Sequence, residues 1–86
     1  MGGRPLSVRL RLFAQARDAA GCTSDEYDVA TLHELLDAAQ ERYGPEFTRV
    51  LDTARVWVNG DEAPDGDTTV LRDGDEVAVL PPVSGG

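Results

Sequence analysis

Seven residues near the start of the chain alternate strictly between apolar and polar side chains, in the order Leu6-Ser7-Val8-Arg9-Leu10-Arg11-Leu12. This two-residue period predicts a β-strand with one buried face and one solvated face, and the solvated face carries both arginines. The buried face needs a second layer of secondary structure, because a sheet is stable only when its apolar side is packed. A chain of 86 residues has room for one domain of this kind.

Residues 31–43 predict the helix that covers this strand. Thr31 and Glu34 have the spacing of a capping box, in which the threonine caps the helix and the glutamate reaches back to its start. Gly44-Pro45 then ends the helix. Apolar residues recur at helical spacing along one of its faces, at Leu32, Leu35, Leu36, Ala39 and Tyr43.

The remaining patterns complete a small α+β domain. They predict a short helix over residues 14–20, a weak strand over 24–29, a helical turn near 46–51, a strand over 55–58 that ends in an Asn59-Gly60 turn, and a last strand over 76–80. This order is typical of the β-grasp, or ubiquitin-like, roll. We expect a mixed sheet of about five strands with one main helix. Residues 1–86 would form a single domain with a flexible C-terminal tail over residues 81–86.

The composition is strongly acidic. Eight Arg and no Lys oppose sixteen Asp and Glu, which gives a net charge of −8. Such a surface repels nucleic-acid phosphates and anionic lipids, so we expect neither nucleic acid nor a membrane as a partner, and a basic protein surface fits better. No apolar run approaches the length of a bilayer span, and Cys22 has no second cysteine for a disulfide, so a cytoplasmic protein is expected.

The sequence offers no catalytic or metal-binding set. A nucleophilic cysteine needs a base and a zinc ion needs about four ligands, but Cys22 and His33 are each the only residue of their type. Phosphate-binding loops and nucleophile elbows are absent from the sequence. We therefore expect no catalytic constellation, no metal and no bound cofactor. For Tyr43 and Trp57 we favour core packing, because a domain this small needs aromatic residues in its core, and a binding surface is the alternative.

The end of the chain has a different character, because it reads Pro81-Pro82-Val83-Ser84-Gly85-Gly86. A proline pair after a strand stops the hydrogen-bond ladder and keeps the backbone extended, so the tail projects from the sheet. The two glycines lack Cβ atoms and can enter a narrow channel, which brings the carboxylate of Gly86 close to a buried reaction centre. These properties permit a carrier that is activated and loaded at Gly86, and they do not identify its cargo.

Four segments resemble the MoaD/ThiS family of prokaryotic sulfur carriers, namely residues 13–18, 58–60, 71–78 and 81–86. The ending is most similar to that of the small subunits of molybdopterin synthase. The resemblance covers Leu6 to Gly86, and its most specific parts are the tail and the Asp-Gly-Asp-Glu-Val stretch at residues 73–77. It implies a β-grasp protein that acts as a non-catalytic carrier.

The resemblance also implies a reaction and its partners. An E1-like adenylating enzyme would use ATP in trans to adenylate Gly86, and a sulfur donor (a sulfurtransferase) would convert the adenylate to a thiocarboxylate. The large subunit of molybdopterin synthase would then receive the tail. There the sulfur would pass to cyclic pyranopterin monophosphate, a step of molybdenum cofactor biosynthesis.

Partner contact is assigned by the resemblance to an apolar patch and to the tail, at Phe13, Leu80, Pro81, Pro82, Val83, Ser84 and Gly85. Core packing is the alternative role for Phe13. Arg17 matches a recurrent basic position of the family, and local ion pairing is its alternative. The sequence departs from the family at Glu62-Ala63-Pro64, where an apolar residue that faces the partner is common.

Two other functions remain open at this point. The same Gly-Gly ending would serve a carrier that delivers sulfur to the thiazole of thiamin or to cysteine. A ubiquitin-like binding module that is never acylated, and that acts through its acidic surface, is the other alternative. Truncation of the tail would leave partner binding unchanged in a module of this kind.

Overall fold

One mixed sheet of five strands organises residues 6–82, the part of the chain that this computed structural model describes. The elements follow in the order β1 (Val8–Leu12), α1 (Ala14–Ala20), β2 (Ser24–Tyr27), α2 (Leu32–Tyr43), α3 (Pro45–Leu51), β3 (Arg55–Val58), β4 (Asp61–Glu62) and β5 (Glu76–Leu80). A single 3₁₀ turn at Gly66–Thr68 precedes β5 in these residues. The predicted tail residues 83–86 lie outside the described part.

The strand order across the sheet is β2-β1-β5-β3-β4. The first and last strands, β1 and β5, are parallel neighbours, whereas the other pairs are antiparallel. Parallel neighbours need a long crossover connection, and here the chain between them contains the main helix α2. The predicted β-grasp fold is confirmed.

The strict alternation of β1 gives one buried and one solvated face, as predicted. Val8, Leu10 and Leu12 are buried, whereas Arg9 and Arg11 are exposed on the other face of the sheet. Leu35 of α2 and Phe47 of α3, both fully buried, belong to the same apolar cluster. The helices therefore cover one face of the sheet, and the opposite side is called the open face below.

The start of α2 differs in one detail from the predicted capping box. Thr31 Oγ1 accepts a hydrogen bond from the Glu34 N–H at 3.2 Å, as expected. Glu34 Oε1, however, accepts from the N–H of Ala30 at 2.8 Å, one residue earlier than predicted. The Ala30 carbonyl is bonded to the Leu71 N–H at 2.8 Å, which fixes the chain as it enters the helix.

Tight turns lie at the two glycine positions where the sequence predicted them. Gly44, with φ of 96°, ends α2, and Pro45 directly begins α3 at a position where its missing N–H costs nothing. Asn59 and Gly60 both have positive φ, of 52° and 88°, as a two-residue β-hairpin turn between β3 and β4 requires.

The assignment of Trp57 to the core is wrong. Val56 and Val58 pack against the buried cluster, and successive side chains of a strand point to opposite faces, so Trp57 lies on the open face. Tyr43 does pack against the core, with its ring 5.1 Å from that of Phe47 in an edge-on arrangement. No helix within residues 6–82 is long and apolar enough to cross a membrane.

Candidate functional site

The root of the tail is the end of the central strand β5. This strand ends at Leu80, whose partner across the sheet is Arg55 of β3. Pro81 and Pro82 follow, the first partly buried and the second exposed. Because proline has no N–H, neither residue can extend the ladder, and the chain leaves the sheet here. Val83, Ser84, Gly85 and Gly86 are outside the described residues, so their roles stay predictions.

Four apolar side chains form a stripe on the open face beside this exit. The register places Arg11 beside Ala78, Ala78 beside Trp57, and Leu12 beside Val79. Phe13 continues β1 with an extended backbone, so it lies level with Leu80. We call Phe13, Leu80, Ala78 and Trp57 the apolar stripe.

Phe13 is the most exposed member of the apolar stripe, at 38%, whereas Leu80, Ala78 and Trp57 are partly buried. The Arg11 guanidinium lies 5.6 Å from the centroid of its ring, a cation–π distance. The Phe13 carbonyl accepts a hydrogen bond from the Ala16 N–H at 3.0 Å, which begins α1. The structure therefore leaves the ring open to contact, and its role in binding a partner stays a prediction.

Three cross-strand ion pairs balance the charge of the open face. Their shortest N–O distances are 3.7 Å for Arg9–Glu26, 3.7 Å for Arg11–Glu76 and 3.5 Å for Arg55–Glu62. Each exposed pair contributes at most about 1 kcal/mol to folding. Together they contribute no net charge, so the charge of −8 is carried by the rest of the chain. Another protein can therefore approach the apolar stripe without facing a concentrated charge of one sign.

A groove of about 250 Å³ borders the tail on the helical side. Its lining comes from three parts of the chain, at Gln15, Glu46, Arg49, Val50, Thr53, Pro81 and Pro82. Arg49 is paired with Glu46 at 2.7 Å, so its charge is already compensated. Pro81 and Pro82, the described part of the tail, thus lie between this groove and the apolar stripe.

Arg17 makes the local ion pair that was its alternative role. Its Nε lies 3.7 Å from Asp18 Oδ1, and both side chains are well exposed. Its carbonyl accepts the N–H of Gly21 at 2.9 Å, which closes α1. Within the described residues, no hydrogen bond or ion pair of Arg17 reaches the root of the tail.

A second polar cluster joins β2 to the end of α2. Asp25 Oδ2 accepts hydrogen bonds from Tyr43 Oη and from Arg42 Nη1, both at 2.7 Å. Cys22 Sγ lies 3.6 Å from Tyr43 Oη. Burial and the hydrogen bond with Asp25 raise the pKa of the Tyr43 hydroxyl well above its ordinary value. Tyr43 therefore stays protonated and acts as a donor.

Cys22 and His33 take part in different clusters. His33 lies on the surface of α2, with Nε2 3.2 Å from Asp37 Oδ2, whereas Cys22 contacts Tyr43. Within residues 6–82, His, Cys, Asp and Glu form no group of three or more that could hold a metal ion.

For Trp57 the structure gives the surface position of the alternative role in place of the favoured core position. The signal was available, because the alternation over Arg55-Val56-Trp57-Val58 gives Trp57 the face opposite to the two valines. A small domain favours aromatic residues in its core, but the alternation of this strand decides the face on which Trp57 lies.

Known proteins share both the sequence and the fold. The sequence matches the ThiS family over residues 10–86. The molybdopterin synthase sulfur carrier subunit of Chlamydomonas reinhardtii is 30% identical over 84 residues, which cover 94% of this chain and 100% of that protein. Small archaeal modifier protein 3 of Haloferax volcanii is 34% identical over 92 residues, with 94% and 100% covered.

Several solved protein structures are also similar to this one over nearly the whole chain. Small archaeal modifier protein 1 from Methanosarcina acetivorans superposes with a TM-score of 0.83 at 28% identity, covering 98% of this chain and 100% of that one. A chain in the complex of subunits 1 and 2 of the molybdopterin-converting factor from Helicobacter pylori gives 0.72 at 27% identity, with 94% and 100% covered. A chain in the BexX/CysO complex of Amycolatopsis orientalis gives 0.77 at 26%, with 92% and 99% covered. The chain belongs to the ThiS/MoaD family of ubiquitin-like sulfur carriers.

Proposed function

We propose that this sulfur carrier is the small subunit of a molybdopterin synthase and that Gly86 is the residue that is loaded. The observation that carries the proposal is the root of the tail: the central strand β5 runs directly into Pro81-Pro82 beside an exposed Phe13. The similarity to a molybdopterin synthase sulfur carrier subunit over 94% of the chain supports the choice of pathway.

The proposed chemistry takes place at the Gly86 carboxylate. One carboxylate oxygen attacks the α-phosphate of ATP held by an E1-like adenylating enzyme, and pyrophosphate leaves. A sulfur from a sulfurtransferase then attacks the acyl carbon and AMP leaves. Sulfide gives the thiocarboxylate on Gly86 directly. A donor persulfide first gives an acyl disulfide, and a second thiol cleaves it by forming a disulfide with the donor cysteine, which leaves the thiocarboxylate on Gly86. ATP is used by the activating enzyme, and the carrier itself holds no cofactor. We place these steps in the cytoplasm, where thiols stay reduced.

Delivery of the sulfur needs the large subunit of the synthase. The tail from Pro81 to Gly85 enters that subunit, and the thiocarboxylate sulfur attacks a side-chain carbon of cyclic pyranopterin monophosphate while a C–O bond at that carbon breaks. Each loaded carrier supplies one of the two sulfurs of the dithiolene. Water then hydrolyses the acyl–sulfur link, which leaves the sulfur on the product and restores the Gly86 carboxylate. A complex of two molybdopterin-converting factor subunits contains a chain with this fold, which supports a partner of this type.

A second candidate function keeps the carrier and changes the acceptor of the sulfur. The likeness to a chain in the BexX/CysO complex, with a TM-score of 0.77, and to small archaeal modifier proteins favours this alternative. Both candidates require the loading of Gly86. A ubiquitin-like binding module that is never acylated does not.

Intact-mass spectrometry tests the loading step. The carrier is incubated with the adenylating enzyme of its host, ATP and a sulfurtransferase with its sulfur source. We expect the mass gain of one sulfur-for-oxygen exchange, located at Gly86, and no gain for a variant that lacks Gly86. A competent activating enzyme that leaves the wild-type mass unchanged would refute the carrier role.

The acceptor is tested in a second reaction. Loaded carrier is mixed with the large synthase subunit and cyclic pyranopterin monophosphate, and the dithiolene product is measured. Formation of the product supports the molybdopterin pathway. Loading without product, while a control synthase is active, supports the second candidate.

A further inference from the structure

The reach of the tail limits which surface can meet a partner. Four residues, 83–86, follow Pro82. A fully extended chain spans at most about 3.6 Å per residue, so Gly86 can lie no more than about 14 Å from Pro82. A protein that takes up Gly86 must therefore rest against the surface around the root of the tail.

Trp57 borders this area. Its direct neighbour across the sheet is Ala78, and Leu80 is the next residue on the same face of β5. Diagonal neighbours on adjacent strands are roughly 7–8 Å apart, which an indole ring can bridge. Phe13 and Trp57 therefore lie on opposite sides of β5. With Trp57, the apolar surface extends from β1 across β5 to the hairpin of β3 and β4.

The indole of Trp57 also has an unused hydrogen-bond donor. Its Nε1 is shielded from solvent, and no acceptor contacts it within the described residues. A buried donor without an acceptor is unfavourable and rare in native structures. A small rotation of the indole ring would expose the N–H to an oxygen acceptor on a partner, and this hydrogen bond would remove the cost. Binding at Trp57 would then gain a hydrogen bond in addition to the burial of apolar surface.

We propose that Trp57 is an anchor of the surface that binds the large synthase subunit, in addition to Phe13 and Leu80. The inference rests on the proposed function, because this partner is the protein that takes up Gly86. The partner presents an apolar side chain to the indole ring and a carbonyl or carboxylate oxygen to its N–H. Because the charges of the open face are paired, a contact there would depend mainly on the burial of apolar surface. Tryptophan is also enriched among the residues that contribute most to binding energies.

Nuclear magnetic resonance can observe this residue directly. Trp57 is the only tryptophan of the chain, so ¹⁵N-labelled carrier gives one indole N–H signal. Titration with the unlabelled large subunit should shift this signal in proportion to the complex formed. A signal that does not move while backbone signals at Phe13 and Leu80 do would place Trp57 outside the interface and overturn the proposal.

Variants measure how much the residue contributes. Calorimetric titration with the large subunit should give a dissociation constant about thirtyfold higher for Trp57→Ala. Trp57→Phe keeps an aromatic ring and loses the N–H, so it should lie between Trp57→Ala and the wild type. Val70→Ala is the matched control, because Val70 is 66% exposed and pairs with Thr31 at the start of α2. The control should bind as the wild type does.

The result can be separated from a failure of the proposed function. Mass spectrometry reports whether Gly86 is loaded, and this step is measured for each variant without the large subunit. Loaded Trp57→Ala and Trp57→Phe that bind as tightly as wild type would overturn only the role of Trp57. A wild-type carrier that does not bind the large subunit would refute both proposals. If Trp57→Ala fails to fold, the affinity of Trp57→Phe and the shift of the wild-type indole signal test the role of Trp57.

Discussion

Asp25 connects β2 to the end of α2, and its neutralisation tests how much this connection stabilises the fold. Its Oδ2 accepts hydrogen bonds from Tyr43 Oη and Arg42 Nη1 at 2.7 Å each. Burial by itself raises the pKa of the Asp25 carboxyl, but the hydrogen bonds from Tyr43 and Arg42 outweigh it, and the pKa lies below its ordinary value of 3.8. The fold therefore stabilises the charged form.

Asp25→Asn removes the charge and keeps the shape of the side chain. A hydrogen bond to a charged group contributes about 1.5–3 kcal/mol, and the amide oxygen still accepts from Tyr43, so we expect a loss of about 1–2 kcal/mol at neutral pH. In a domain of this size each 1 kcal/mol lowers the thermal midpoint by about 4–8 °C. Unfolding followed by circular dichroism should show a midpoint on the order of 5–10 °C below that of the wild type.

The effect should depend on pH with a defined sign. Because the folded pKa of Asp25 is below the unfolded value, its stabilisation is complete above the unfolded pKa and is lost as the pH falls through the folded pKa. The difference between wild type and Asp25→Asn should be constant from about pH 7 to about pH 5 and should shrink as the pH falls through the folded pKa, which lies below 3.8.

Asp18→Asn is the matched control for this prediction. It removes the same charge from an exposed side chain whose paired cation, Arg17, is 3.7 Å away, and its free energy of unfolding should stay within about 0.5 kcal/mol of the wild type. An Asp25→Asn variant that is no less stable than Asp18→Asn at neutral pH would refute the reasoning. A difference that persists undiminished in acid would refute it as well.

Two further substitutions test the core and the start of α1. Phe47 is fully buried, so Phe47→Ala should lower the free energy of unfolding in urea by about 3–5 kcal/mol. Ala14 has a φ of 51°, a region that disfavours residues with a Cβ, so Ala14→Gly should raise the stability by up to about 1 kcal/mol. A lower thermal midpoint for Ala14→Gly would show that the strain is smaller than the entropy that glycine adds to the unfolded chain.

The sequence predicted best those parts of the fold whose structure is determined by residues close together in the chain. The alternation of β1 needs only a two-residue period, and the Asn59-Gly60 turn needs only two residues that accept positive φ. The helix α2 was located by its Thr31 cap and its apolar spacing. The hydrogen bond that the Ala30 N–H donates to Glu34 was not predicted. It depends on the position of Ala30, whose carbonyl is held by the N–H of Leu71, a residue far along the chain.

The candidate site combines residues that are far apart in the chain, and patterns do not encode such pairings. Phe13 lies level with Leu80 only because β1 and β5 are parallel neighbours, so resemblance to a family, and not periodicity, suggested that the two act together. The contact between Asp25 and Tyr43 joins residues 18 positions apart, and no local signal precedes it. Trp57 is different, because alternation alone would have assigned it to the open face.

The position of β5 matters for the proposed delivery of Gly86, because the tail starts from the end of this strand. A strand paired on both sides holds its last residue firmly, whereas the end of an edge strand frays more easily. A misplacement of about 1 Å at a reaction centre can lower a rate a hundredfold. Because Leu80 belongs both to the central strand and to the apolar stripe, a partner that grips the stripe fixes the point from which the tail starts. Under the proposed function, the same residue of the sheet would therefore set both the docking of the partner and the delivery of the Gly86 carboxylate.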